Sequence, residues 1–466
     1  MIDPTSAPII KNQQEILSSG DQELRRHLTA ILEAGIREGD PGRGTLRQVR
    51  IAEEILFVGN TPYDLRQFDR IFVVGAGKGS YPIAEALEKT LGNRIADGIV
   101  VVKKGEKRRL KRVEILEAGH PIPDEESLAG GRKILDIAER AGGRDLVFAA
   151  VTGGSSALAT LPQGGITLGE MQVLNELLLK SGAVIQEMNA VRKHLCRMKG
   201  GGLLSAIQPA RSITLTLDTA PEGMPWPDMC LPDPTTFEDA IAVLQYHDLW
   251  DAVPASIRKY LSEGKSRPER ETLKSLAGMK NQWISVGDPP GMCRASADQA
   301  QDLGYDPVIL STKIEGEARE AGIFFAGVAR EILVYGRPFK PPCALISSGE
   351  TTVTIKENCG QGGPNQEFAL AFCQKLKTPG RFACASVDSD GTDGPTDFAG
   401  GVVDHTTSGE ARRRNLNIGT YLKSHDSANV LAELGGLIVT GHTGTNLQNL
   451  RVILIPSQDG EPSCAT

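Results

Sequence analysis

The sequence predicts an α/β protein: a parallel sheet with helices on both faces, followed by a smaller α/β part with a mixed sheet. Three observations predict it. Short apolar runs of strand length alternate with stretches of helical periodicity through the first half. Several of these runs break into glycine turns that lead into helices, as at Val74-Gly75-Ala76-Gly77-Lys78 and Val151-Thr152-Gly153-Gly154-Ser155. Later, strand-like runs at 344–347 and 351–355 flank Ser348-Gly349-Glu350, which suits paired rather than purely parallel strands.

The elements follow in order. Residues 21–38 read as an amphipathic helix with Leu24, Leu28, Ile31, Leu32 and Ile36 on one side. A second helix is expected over 45–56. The run 70–75 is a short strand ending in glycine, and 80–91 has helical spacing. Residues 98–102 and 113–117 are further buried strands, and 124–141 is a helix with acidic residues at its start. The strand 146–151 breaks into Thr152-Gly153-Gly154-Ser155-Ser156. Helices are expected over 168–180 and 183–198, and 211–217 is the strand that closes the first half. Five prolines between 219 and 236 (Pro221, Pro225, Pro227, Pro232, Pro234) mark a domain crossing or a rigid active-site loop. Helices at 237–246 and 254–263, a strand at 282–286, a helix near 295–303, a strand at 307–310 and a long helix over 317–335 complete the pattern. No internal repeat or low-complexity tract interrupts it. The expected division is 1–235, a helical connection over 236–280, and 281–466.

A length of 466 residues allows two or three domains. The net charge of −7 argues against a nucleic-acid or anionic-membrane surface, while leaving room for a small basic pocket. The eight cysteines, Cys464 among them, form no CxxC pair, so a structural zinc is not expected and a reducing, cytoplasmic setting is. No run of 18 apolar residues and no apolar core near the N-terminus is present, so a soluble, unprocessed chain is expected.

The densest chemistry lies in Asp388-Ser389-Asp390-Gly391-Thr392-Asp393-Gly394-Pro395-Thr396-Asp397, directly after an apolar run. Crowded carboxylates need solvent, a cation or a substrate proton. Mg²⁺ takes oxygen ligands of this kind and bridges to phosphate; a solvated acidic turn is the plain alternative. The turn at Gly75, Gly77 and Lys78 offers backbone N–H groups and a point charge to an anion. It is no P-loop, and Ser80 occupies the third glycine position of a dinucleotide fingerprint. The next strand ends in Lys103 and Lys104, without an acid for a ribose. Gly153, Gly154, Ser155 and Ser156 offer amides and hydroxyls to a carboxylate or phosphate. A nucleophile-elbow pattern is absent, which weakens a Ser-His-Asp hydrolase reading. Asn189, Arg192 and Lys193 share one helical face by spacing, as a ligand-facing or a solvated basic surface. His120, placed before Pro121 after a strand, is a candidate site residue, whereas His27 and His247 read as structural. Glu350, Asn365 and Gln366 are candidates to read a polyol or nucleotide, and Thr440 to Asn446 offers further hydroxyls and amides.

In this order the motifs resemble the class II glycerate 2-kinases of the MOFRL type, long also labelled hydroxypyruvate reductases. The resemblance runs from about Leu24 to Leu454. Its pieces are Val-Gly-Ala-Gly-Lys at 74–78, Gly-His-Pro-x-Pro-Asp at 119–124, Asn-Ala-Val-Arg-Lys-His-Leu at 189–195, Leu-Pro-Asp-Pro-Thr-Thr-Phe at 231–237, Ser-Gly-Glu-Thr-Thr-Val-Thr at 348–354, Asn-Gln-Glu-Phe-Ala-Leu at 365–370, Asp-Gly-Thr-Asp-Gly-Pro-Thr-Asp at 390–397 and Thr-Gly-Thr-Asn at 443–446. The resemblance implies ATP-dependent, Mg²⁺-assisted phosphorylation of D-glycerate or a related hydroxy acid. It implies a cleft between a Rossmann-like N-terminal domain and a smaller MOFRL-like domain. Lys78 would then stabilise the transferred phosphoryl group, and Asp390 or Asp393 would bind Mg²⁺ or accept the hydroxyl proton. A nicotinamide-dependent hydroxypyruvate reductase and a non-catalytic relative are the alternatives, and a homodimer stays open.

Departures from the family pattern fall in its loops. Pro364 stands where Gly-Gly-Arg-Asn-Gln-Glu carries its Arg, and Pro227-Asp228-Met229-Cys230 replaces Ser-Gly-Pro-Thr. Ser155, Gly202 and His442 are further changes. If another cation replaces the missing Arg, Lys193 and Arg192 are the expected candidates.

Overall fold

The computed structural model describes residues 7–105, 109–219, 226–355 and 359–457. The chain forms two compact units, one of Pro41–Val286, the other of the residues through Asp40 together with those from Gly287 onward. Residues 236–280 thus pack within the first unit, and the N-terminal helices join the second.

The first unit opens on a small antiparallel sheet, β1 (Val49–Ala52), β2 (Ile55–Val58) and β3 (Thr61–Asp64). The helix expected over 45–56 ends at Gln48 instead. Glu53 takes a left-handed φ of 56° and turns the chain back, and the alternation of Val49 and Ile51 with polar residues suits a hairpin.

The main sheet contains β4 (Arg70–Ala76), β5 (Ile95–Lys103), β6 (Glu114–Ala118), β7 (Asp145–Val151), β8 (Arg211–Leu217) and β9 (Asn281–Gly287), in the spatial order β6-β5-β4-β7-β8-β9. The pairs β6–β5, β5–β4, β4–β7 and β7–β8 are all parallel. Both faces are covered, so Val74, Ile99, Val101, Val147 and Ala149 sit in one core with Ile134 and Leu135 of the helix Glu125–Glu139. That is why these strands read as continuous apolar runs. Chain order runs outward from β4 to β6 and then restarts at β7 on the other side of β4. The carboxyl ends of β4 and β7 are therefore the switch point of the sheet, where open α/β folds bind ligands.

Four helices, Leu168–Lys180, Ile185–His194, Phe237–Tyr246 and Ala255–Lys265, pack around Leu174, Phe237, Leu244 and Ile257. The helix expected over 183–198 is cut short at its end. Gly200 and Gly201 are left-handed, and an unforeseen helix Gly202–Ile207 follows. Of the proline-rich segment, 220–225, with Pro221 and Pro225, lie outside the described residues.

The second unit carries β10 (Asp306–Ser311), β11 (Gly316–Glu317), β12 (Cys343–Gly349), β13 (Thr351–Thr352), β14 (Ala383–Asp388), β15 (Gly400–Asp404), β16 (Leu437–Ile438) and β17 (Asn449–Ile455). Its six-stranded sheet runs β10-β12-β17-β14-β15-β16, with β10–β12 parallel and the rest antiparallel. The sheet is mixed, as expected. The expected pairing of 344–347 with 351–355 is not formed: β12 joins the large sheet, and β13 pairs with β11 in a separate ribbon. Both edges of β12 are taken, by β10 and by β17, so none is left for 351–355.

Successive residues of β17 serve opposite faces. Leu450 meets the helix Gln22–Glu38, while Ile453 and Ile455 pack with the helix Pro364–Lys375. The N-terminal helix is held by a buried ion pair, Arg25 Nε to Asp404 Oδ2 at 2.6 Å, with both side chains no more than 2% exposed. Asp404 also accepts from the Asp21 and Thr406 amides, and Arg25 donates to the carbonyls of Ile16 and Gly435. Arg25→Ala leaves that carboxylate buried and uncompensated, so it should cost about 3–5 kcal/mol of stability. Denaturant titration checks this; a loss below about 1 kcal/mol would show that helix packing alone holds the N-terminus.

Candidate functional site

In the first unit, the two glycine turns meet at the switch point. The Lys78 amide donates to the Gly153 carbonyl at 2.8 Å, and the Gly79 amide to Thr152 Oγ1 at 2.9 Å. The Gly77 amide donates to the Val101 carbonyl at 3.1 Å, and Ser80 Oγ to the Ala150 carbonyl at 2.8 Å. Gly77 has φ 137°, and a Cβ there would lie 2.2 Å from Thr152 Oγ1, so only glycine fits. The consequence corrects an expectation: the amides of Gly77, Lys78 and Gly79 are spent on β5 and on the neighbouring turn and do not form an anion cradle. What this turn offers is the half-buried Lys78 side chain.

The second turn is arranged differently. Among the described residues, the Gly153 and Gly154 amides donate no hydrogen bond. Ser155 Oγ is buried without a partner. Gly154 is left-handed, and the ring of His120 comes so close that a Cβ would sit 3.1 Å from it. Two motifs distant in sequence are thereby joined. His120, Gly154, Ser156, Arg192 and Lys199 line one cavity of about 750 Å³.

The expected basic face divides. Arg192 Nε donates to Asn175 Oδ1 at 2.7 Å and reaches the cavity, whereas Lys193 Nζ bonds the buried Asp233 at 3.2 Å. Asn189 is half-buried on the same helix. Lys193 therefore has its own counter-ion, and its charge is already matched. The residue that sequence reading passed over is Lys199. It is 6% exposed, burial lowers its basicity, and Asp228 is the nearby acid. Asp228 keeps one carboxylate oxygen without a partner, and burial raises it above the usual carboxylate range. A lysine directly before three glycines was the available signal.

In the second unit, four motifs converge on a pocket of about 370 Å³ at the ends of β12, β14 and β17. Its lining includes Glu350, Pro364, Glu367, Asp388, Asp393 and His425. Asp393 is its anchor. Asp393 Oδ1 accepts from the amide and the side chain of Asn365, both at 3.0 Å, and Oδ2 accepts from the Gln366 amide at 2.9 Å. Asn365 also accepts from Ser386 Oγ, and Gln366 donates to Thr396 Oγ1. Both are fully buried, so neither side chain reads a ligand as expected; they fasten the acidic turn to the helix Pro364–Lys375. The loop before β17 holds the turn from its other side, through Thr443 Oγ1 to the Ser389 carbonyl and Leu447 N to Ser389 Oγ. Asp390 Oδ1 accepts from the Thr392 amide and hydroxyl.

Burial dominates the electrostatics. It pushes Asp393 up to about 6 against the opposing hydrogen bonds. It drives Asp388 well above the carboxylate range, helped by Asp390 and Glu350. Glu367 is likewise raised by burial, although His425 Nδ1 lies 2.8 Å away, and its second oxygen has no partner. The cation of this cluster is Arg451, wholly buried in β17 over the Phe368 ring and bonded to Thr351 Oγ1 and Asn449 Oδ1 at 2.7 Å each. Glu350, Asp393 and Asp388 all act on it. It sits in the same unit as Pro364 and the acidic turn, whereas Lys193 is occupied by Asp233. A charge inside the apolar run Leu450-Arg451-Val452-Ile453 was the signal for it.

The described residues hold no group of three His, Cys, Asp or Glu side chains placed to ligate one metal ion. Mg²⁺ rarely needs such a cage, since it keeps waters and binds one or two carboxylates plus phosphate. The crowded Asp388 and Asp390 fit that mode of binding. Among the described residues, no helix is long and apolar enough to cross a membrane.

The family model described as a domain of unknown function, DUF4147, matches residues 27–262, and the MOFRL family model matches 343–449. A "Glycerate 2-kinase" of Pyrococcus horikoshii is 40% identical over 441 residues, covering 94% of this chain and 99% of that protein. An Agrobacterium vitis protein that carries a hydroxypyruvate reductase label is 36% identical over 93% of this chain and 95% of its own length. The crystal structure of a glycerate kinase from Thermotoga maritima superposes with a TM-score of 0.82 at 34% identity, covering 93% of this chain and 100% of that one.

A pH prediction follows from Asp393. Its carboxyl titrates near 6 when folded and near 3.8 as an ordinary carboxyl. The folded state therefore binds the proton more tightly. This contribution to stability is fully present below about pH 3.8 and is lost as the pH rises through about 6. Denaturant titrations across this window should show that component in the native chain and not in Asp393→Asn. Parallel slopes for both proteins would mean that Asp393 titrates normally.

Proposed function

The chain belongs to the DUF4147–MOFRL family of glycerate 2-kinases, and from that premise we propose that it transfers the γ-phosphoryl group of ATP to the 2-hydroxyl of D-glycerate. The observation that carries this reading is the convergence of Glu350, Asp388 and Asp393 on one pocket beside the Pro364 turn. Phosphoryl transfer asks for positioning and charge stabilisation more than for covalent catalysis, and carboxylates and a lysine are residue types suited to both.

In this reading Asp393 takes the proton. With a pKa near neutrality it suits general-base work, and its Oδ2 accepts only one of its three hydrogen bonds. The hydroxyl oxygen attacks the γ-phosphorus as its proton moves to Asp393. The bond from that phosphorus to the β–γ bridging oxygen breaks, and its electron pair leaves with ADP. Lys78, on the family motif alone, is the residue that would neutralise charge on the transferred group. Asp388 and Asp390 would hold Mg²⁺ arriving with the nucleotide, and the ion would supply further positive charge at the phosphates. Arg451 keeps the acidic cluster tolerable without touching substrate.

The reductase alternative loses support at the first glycine turn. A dinucleotide pyrophosphate needs free amides there, and those of Gly77, Lys78 and Gly79 are occupied. The direct test is ADP release with D-glycerate and ATP–Mg²⁺, with phosphorus NMR to identify the phosphorylated position. NADH oxidation by hydroxypyruvate in place of ADP release would overturn the reading.

Lys78→Ala should lower kcat by on the order of a hundredfold with unchanged far-UV circular dichroism, because the side chain is not core. A fully active variant removes Lys78 from the mechanism. Pro364 is the first residue of its helix, a position that tolerates other residues. Pro364→Arg restores a guanidinium to a carboxylate-lined pocket and should raise kcat/KM for D-glycerate. An unchanged value would show that the pocket does not need a guanidinium at this position.

A further inference from the structure

We propose that the cavity beside Lys199 seats the nucleotide, with its base against Ile122, Val173 and Leu179 and its phosphates toward Lys199 and Arg192. This deepens the kinase reading and rests on it.

The first observation is a buried ammonium with no direct partner. Lys199 is more than nine-tenths buried and lines the cavity, yet among the described residues its ammonium makes no ion pair or hydrogen bond. Asp228, the nearby acid, offsets part of its charge without an ion pair, while Arg192 and Lys193 add charge of the same sign. A buried ammonium without a partner is costly, and an incoming anion removes that cost.

The second observation is on the lining of the same cavity. Ile122 is 67% exposed, Val173 46% and Leu179 68%, and all three line it. Single exposed apolar side chains are ordinary; three around one cavity that also carries two cations are complementary to a ligand with an apolar body and an anionic tail. A three-carbon hydroxy acid fills little of 750 Å³ and has no apolar surface to offer. An adenine nucleotide has both features.

The test combines binding and kinetics. ADP binding is measured by calorimetry on the native chain, Leu179→Asp and Lys199→Met. The first variant changes an exposed side chain and so does not threaten the fold. Both should weaken ADP at least tenfold, and Leu179→Asp should raise the KM for ATP at least tenfold while the KM for D-glycerate stays within twofold. Adenosine should compete with ATP on the native enzyme and more weakly on Leu179→Asp. Unchanged ADP affinity in Leu179→Asp overturns the proposal even when the enzyme is an active kinase. A rise in the KM for D-glycerate with that for ATP constant also overturns it and gives the cavity to the acid. If the native chain phosphorylates no acid, the kinase reading fails, and the ADP titrations still decide the cavity.

Discussion

A buried charge must be matched by something, and this constraint shapes both units. The first concentrates cations: Lys193 and Lys199 are buried and Arg192, close to them in sequence, is half-buried. Asp233 neutralises one of them, and Lys199 is left to a ligand. The second concentrates carboxylates around Asp388, and the buried guanidinium of Arg451 cannot neutralise them all. Sites of this kind are stable because the surrounding fold over-determines them. They are also selective, since only a ligand of opposite charge relieves them.

The over-determination is visible in the second unit. Three N–H groups hold Asp393, two loops grip the turn that carries it, and Asn365 and Gln366 are spent on that support. In the first unit the equivalent device is the zipping of one glycine turn against another. There the backbone polar groups serve rigidity, and the side chains are left for chemistry. This division of labour separates the chain from a dinucleotide-binding fold, in which the amides themselves meet the phosphates.

Much of the architecture was legible beforehand. Strands buried on both faces write themselves as apolar runs, and β4, β5, β7 and β8 were found that way. The parts that were not legible have local causes. The 45–56 segment carries helical spacing as well as strand alternation, and a turn at Glu53 decides for strand. The 351–355 run is strand-like, yet both edges of β12 are taken by β10 and β17, and its first residues pair with β11 instead. Asn365 and Gln366 looked like ligand readers because polar side chains after a glycine turn usually face solvent; here Asp393 buries them.

By itself the sequence determined the fold class, the family motifs and the residue types available for chemistry, because periodicity and turn composition are local properties. It also marked Lys78, Asp390 and Asp393 as candidates. Tertiary structure alone decided which backbone amides remained open, which cation was already paired, and where charge was left over. Those depend on long-range neighbours: Gly153 for Lys78, Asp233 for Lys193, and Asn365 for Asp393. Burial set the protonation of the acidic turn, and burial is a property of the packed chain.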